Sequence, residues 1–171
     1  RIFYIYPDIT LFNPLTQVLV LLKDHPVVLT PHQLEPEIHP QGIVDNEIGS
    51  LKHGIYNLGF MAIANVPEGQ RIARWWRDRL LVYCRDDPEN GLFTDQKWCD
   101  LIPAFFENPA ILRDPGYNVA SWNLSHRPIR IDDEGQIYAA DAPLRFFHFT
   151  KVDTAGEVML ERYGSESIAL F

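Results

Sequence analysis

Two side chains of this sequence stand where short apolar runs end and are competent to bind a divalent cation. Asp8 follows Ile2-Phe3-Tyr4-Ile5-Tyr6 and the breaker Pro7, and His148 lies near the end of Leu144-Arg145-Phe146-Phe147-His148-Phe149. A carboxylate and an imidazole, completed by ligand oxygens, suit Mn²⁺ or Mg²⁺ better than a structural zinc site. Lys151, three residues beyond His148, is placed to meet a phosphate. Each residue also has a plainer reading: a histidine on an aromatic strand as a core residue, an aspartate after proline as a turn residue.

Two further groups carry polar side chains in unusual company. Asn57 and Gly59 interrupt the apolar run Gly54–Ala64. Glycine inside a strand marks either close approach by a ligand or another backbone, or a bulge with a satisfied polar neighbour. Thr94-Asp95-Gln96 opens a predicted helix, with Thr94 as its cap and Asp95 where the helix dipole favours an anion. Capping explains Thr94 and Asp95 but not Gln96.

The elements that must position these groups are legible in outline. Arg1–Tyr6 reads as a buried strand. Asn13-Pro14 opens a helix whose apolar face is Leu15, Val18, Leu19 and Leu22. Val27–Thr30 is a short buried strand. Residues 31–53 hold three prolines and no periodicity, which predicts a long surface loop or lid. His25, His32 and His39 recur within this stretch and just before it, but the prolines between them keep them off one helix face, against a shared metal site. The run 54–64 is a strand buried on both faces. A helix follows from Pro67, with Ile72, Trp76, Leu80 and Cys84 aligned and a solvated arginine face. The helix from Thr94 buries Trp98, Leu101, Ile102 and Phe105. A hairpin turns at Asp132–Gly135, and the tail 152–171 is amphipathic and helical in part.

The chain has 171 residues, enough for one domain, and is 46% hydrophobic, so disorder is excluded. A net charge of −8 argues against nucleic acid, because phosphate attraction needs a basic face. Cys84 and Cys99 read as buried free thiols, which points to a reducing, cytoplasmic setting, either free or peripheral to the inner face of the membrane. No apolar run approaches the ~18 residues of a transmembrane segment.

The order of these motifs resembles the GT-A glycosyltransferases, most closely those similar to glycosyltransferase family 8 and bacterial proteins described as hypothetical glycosyltransferases. The resemblance rests on strand–Pro7-Asp8, Tyr56-Asn57-Leu58-Gly59-Phe60, Thr94-Asp95-Gln96 and Phe147-His148-Phe149-Thr150-Lys151, and it covers most of the chain. It implies an α/β fold, the C-terminal portion of a GT-A domain, with a mixed sheet flanked by helices and residues 1–171 forming one domain. The nucleotide-binding βα units that precede the family's DxD motif lie outside this sequence. The first Asp of that motif falls at Tyr6; Asp8 remains.

The implied activity is transfer of a sugar from a nucleotide diphosphate sugar, a UDP-sugar being the natural guess, to a hydroxyl of a carbohydrate or glycolipid acceptor, with retention of configuration. Asp8 and His148 would hold Mn²⁺ or Mg²⁺. Lys151 would face the phosphates, and Asn57, with Gly59 beside it, and Asp95 would position hydroxyls. Gln96 would sit near the reacting carbon. Tyr117 and Trp122 would offer faces for a sugar, with core packing the stronger reading of Trp122. The alternative is a catalytically degenerate carbohydrate-binding or scaffolding module.

Overall fold

The computed structural model describes residues 1–150 together with Val158 and Glu161. Lys151 and the rest of the predicted tail lie outside the described residues. The protein is a mixed α/β structure with several sheets.

Its centre is β4, Tyr56–Ile63, in which all eight residues are buried, as its near-continuous apolar run requires. The elements before it are β1 (Ile2–Ile5), β2 (Ile9–Leu11), α1 (Thr16–Leu21), β3 (Val27–Pro31) and a helical run made of α2 (Pro40–Gly42), a π-helical stretch (Ile43–Ile48) and α3 (Gly49–His53). After β4 come α4 (Pro67–Tyr83), the β5–β6 ribbon (Asp86–Asp87, Leu92–Phe93), a 3₁₀ segment (Lys97–Leu101), α5 (Ile102–Phe105) and β7 (Ala110–Ile111). The chain then forms β8 (Ile129–Ile131), β9 (Ile137–Ala139), β10 (Ala142–Pro143) and β11 (Phe146–His148).

The main sheet has the order β1-β4-β3-β7, with β4 antiparallel to both neighbours and β7 parallel to β3. One face of β4 packs Phe60 and Ala62 against Val18 of α1, Leu22 just after it, and Phe146 of β11. The other packs Met61 and Ile63 against Ile72 of α4, Cys99 and Ile102. The two faces exchange parity at Gly59: Leu58 belongs with Met61, and Phe60 with Ala62. The β3–β4 register slips there as well, between Leu29 and Pro31. This is a bulge in the physical sense, a local break in the strict two-residue alternation.

Several expectations need correction. β1 is not buried; it is the sheet edge and all four of its residues are exposed. Residues 31–53 are not loop throughout, since 40–53 is continuously helical. Gly42, Gly49 and Pro40 hide that helix from a propensity reading, and its apolar residues Val44, Ile48 and Leu51 are exposed, so no buried stripe exists to be read. Asn13 does not cap α1; its amide donates to Leu144 O at 2.8 Å. Thr94 does not cap a helix either, because the 3₁₀ segment starts three residues later. Of the two thiols, Cys99 is buried and Cys84 exposed. The Asp132–Gly135 turn does join antiparallel β8 and β9. No helix among the described residues is long and apolar enough to cross a membrane.

Candidate functional site

The second sheet brings the two cation-competent residues together. β2 and β11 are antiparallel with Ile9 opposite His148, and Phe149 N donates to Asp8 O at 2.8 Å. That ladder sets the Asp8 carboxylate beside the His148 ring, with Oδ1 and Nε2 3.2 Å apart. The two atoms are buried and lack hydrogen-bond alignment with each other or with any other group.

The other side of the imidazole explains why. Gly59 N donates to Asn57 Oδ1 at 3.0 Å, which assigns that atom as the amide oxygen. His148 Nδ1 lies 3.0 Å from the same oxygen, so Nδ1 must carry the hydrogen and donate. In the neutral ring Nε2 then carries a bare lone pair beside, but not directed at, a carboxylate oxygen. Burial pushes His148 down from its ordinary value, against the opposing pull of Asp8, and so favours that neutral form. Two acceptors 3.2 Å apart repel, and either a proton on Nε2 or a cation bound by both relieves the repulsion. Cis ligands of an octahedral Mg²⁺-type site, each ~2.1 Å from the ion, stand about 3 Å apart. A ligating histidine whose other nitrogen donates to a fixed oxygen is the usual outer-shell arrangement. The donor set therefore fits a divalent cation. No cluster of three or more His, Cys, Asp or Glu side chains placed for a metal exists among the described residues, so these two would need oxygens from a ligand or water.

Gly59 is what admits the ring. A Cβ built there would lie 2.6 Å from His148 Cε1 and Nδ1, closer than real contacts allow. The bulge reading of the Asn57–Gly59 pair is the one seen, with the asparagine satisfied; what lies against Gly59 is the His148 side chain, neither a ligand nor another backbone.

A cavity of about 480 Å³ lies beside His148 and Asn57, which line it with Tyr6, Asp95, Gln96 and Trp122; Asp8 is not in its wall. Its far wall is the helical run 40–53, which contributes Asp45, Asn46, Gly49, Ser50 and His53. Glu37 fastens that wall, its Oε1 accepting from Asn46 Nδ2 and from Ser125 Oγ. The 3₁₀ segment holds the wall's other end. Lys97 Nζ donates to Leu51 O, and Asp100 Oδ1 accepts from Ile55 N at 2.7 Å.

Tyr6 serves a neighbouring carboxylate. Its hydroxyl donates to Asp95 at 2.9 Å, as does that of Tyr4, and Thr94 Oγ1 adds a third hydroxyl at 3.0 Å. Burial first, and then the Asp95 carboxylate, raises both phenols, Tyr4 to about 12, so they remain protonated donors. Thr94 adopts a left-handed backbone with φ 46°, uncommon for a β-branched residue and a form of strain that concentrates at functional sites. Asp95 is 5% exposed, and its carboxylate is occupied by these three hydroxyls.

Gln96 lies at the cavity, but its amide bridges backbone. Oε1 accepts from Leu58 N at 3.0 Å, and Nε2 donates to His53 O at 3.1 Å. One amide hydrogen and one lone pair are left for a ligand. The two aromatic candidates exchange places. Tyr117 is 2% exposed and packs edge-on to Phe146 in the core, away from the cavity. Trp122 is half-buried at the cavity, edge-on to His148 with ring centroids 5.5 Å apart. Sequence reasoning missed Tyr4, Tyr6 and His32 as parts of the site. The i, i+2 spacing of the two tyrosines on one strand face was the available signal.

No protein-family model matches the chain, and no solved structure matches it. Two proteins of Bacillus subtilis (strain 168) are similar to it. "Uncharacterized protein YfnF" is 31% identical over 97 residues, 57% of this chain and 32% of that protein. "Uncharacterized protein YfnD" is 28% identical over 99 residues, with the same coverage of both chains. The chain spans about a third of the length of these relatives.

Proposed function

We propose that this chain is part of a metal-dependent glycosyltransferase with a GT-A-type fold, moving a sugar from a nucleotide diphosphate sugar to an acceptor hydroxyl. The observation that carries the reading is His148 Nε2 lying 3.2 Å from Asp8 Oδ1, both buried without a hydrogen bond, on a histidine that lines a cavity roomy enough for a sugar while Asp8 sits behind it. A two-residue donor set with the rest of the coordination left to phosphate oxygens and water is how Mn²⁺ and Mg²⁺ are commonly held in phosphoryl-bearing sites. When bound, such a cation supplies Lewis-acid stabilisation of the leaving diphosphate.

The chain's own residues do the rest. Asp8 contributes an oxygen and His148 a ring nitrogen, both preset by the β2–β11 ladder and by Asn57. Asn57 therefore acts on the histidine; its amide is committed there and its contact with sugar is secondary. The Trp122 ring forms one side of the cavity next to His148, where a sugar face can lie against it. Ser50, Ser121 and the free hydrogen of Gln96 offer directional hydrogen bonds to hydroxyls. Asp95, crosslinked to two strand tyrosines, fixes the position of the segment that carries Gln96. A neutral amide is a poor nucleophile, so Gln96 positions substrate rather than forming a covalent bond. Lys151 would neutralise phosphate charge from beyond the described residues.

The test is release of nucleoside diphosphate from a panel of nucleotide sugars, by the chain and by the longer protein that contains it. Turnover that needs Mn²⁺ or Mg²⁺, stops with a chelator and is lost in His148→Ala supports the reading. A binding module would take up carbohydrate without metal-dependent release.

A further inference from the structure

Asn57 has two amide ends, and only one meets His148. Its Nδ2 donates to His32 Nε2 at 3.1 Å. That nitrogen must accept, so the hydrogen of the neutral His32 ring sits on Nδ1, which lies 3.3 Å from Ile55 O and donates to it. Desolvation pushes His32 down to about 4, so it is neutral near pH 7. The result is a continuous line of oriented hydrogen bonds: His148 Nδ1–H to Asn57 Oδ1, Asn57 Nδ2–H to His32 Nε2, and His32 Nδ1–H to Ile55 O.

Such a line has two proton arrangements. In the reverse one the amide is flipped, both rings carry hydrogen on Nε2, and His148 donates to Asp8. Backbone breaks the tie at two points. Gly59 N needs an acceptor and finds Asn57 Oδ1; Ile55 O, which already accepts from His32 N, can only accept again, so the His32 Nδ1 beside it carries the hydrogen. We propose that His32 is a positioning residue that, through Asn57, holds His148 in its Nδ1–H tautomer and thereby keeps Nε2 open to a cation beside Asp8. His32 touches neither Asp8 nor His148 by a hydrogen bond; its effect is transmitted by the asparagine. The proposal rests on the reading of Asp8 and His148 as cation ligands, but the tautomer is observable without any cation.

The experiment is a long-range ¹H–¹⁵N correlation spectrum of the histidine side chains in the metal-free chain above pH 7, followed by Mn²⁺ titration. Wild type should show Nδ1–H on both His32 and His148, the minor tautomer of free histidine. In His32→Phe, His148 should populate the Nε2–H form, and Mn²⁺ affinity should fall 10- to 100-fold, the usual range for losing an outer-shell partner. His32→Gln, which returns an acceptor to Asn57, should keep both the tautomer and the affinity. An Nε2–H His148 in wild type, or an unchanged tautomer and affinity in His32→Phe, overturns the proposal. If His32→Phe does not fold, the wild-type tautomers and the His32→Gln variant decide. Correct tautomers that respond to His32 in a chain that never binds Mn²⁺ would uphold the relay and remove the cation reading alone.

Discussion

Gly59 is the residue on which the geometry around His148 turns. Its lack of a side chain lets the His148 ring lie against β4, and its N–H orients the Asn57 amide that sets the ring's tautomer. Gly59→Ala should displace the imidazole and cost about 1–3 kcal/mol, the usual range for overpacking. A thermal melt and a Mn²⁺ titration check this together, and a variant as stable and as cation-competent as wild type would refute it. Tyr6→Phe is a gentler probe. It removes one of three hydroxyls from a buried carboxylate, and a loss of about 1–3 kcal/mol is expected, measured by denaturant unfolding. Loss of cation binding is not expected, because Tyr6 now serves Asp95 and not the Asp8–His148 pair.

At the element scale, the cavity depends on polar ties between segments distant in sequence. Gln96 joins β4 to the end of α3 through Leu58 N and His53 O. Gln96→Ala leaves a buried backbone N–H without its acceptor, so stability should drop by about 1–3 kcal/mol as turnover falls. An unchanged unfolding curve would mean the amide's structural ties carry no weight. These ties also explain what sequence could and could not reveal. Asp8 and His148 were legible as polar residues at or near the ends of apolar runs, but the β2–β11 pairing that sets them side by side was not. Nor was the partnership of Tyr4 and Tyr6 with Asp95, since it spans about ninety residues and needs knowledge of which strand face turns inward. The helical run 40–53 was illegible for a different reason: glycine and proline dilute its propensity and its apolar residues point to solvent. Tyr117 and Trp122 exchanged roles because ring chemistry alone does not say whether a residue lies beneath β11 or beside it.

At the scale of the whole molecule, burial of neutral imidazole couples stability to pH. The folded His32 value, about 4, lies below the ordinary value of 6.5, so the unfolded chain binds more protons between them. Stability should therefore be fully present above pH 6.5 and fall as pH drops through this window, with His32 contributing at most about 1.4 kcal/mol per pH unit. His148, lowered in the same direction, adds to the slope. Melting temperatures from pH 7.5 to 4 would show the trend, and His32→Gln should flatten it; a wild-type profile level across that range would contradict the assignment of buried neutral histidines. The sequence carries a net charge of −8, so its general field does not attract a polyphosphate, and the proposed donor would depend on a local cation. The most direct test of the central claim is accordingly calorimetric titration of UDP into the protein with and without Mn²⁺, repeated on Asp8→Asn and His148→Ala. UDP binding is expected to require Mn²⁺ and to disappear in both variants; binding indifferent to Mn²⁺, or Mn²⁺-dependent binding that survives both substitutions, would contradict the proposed cation site.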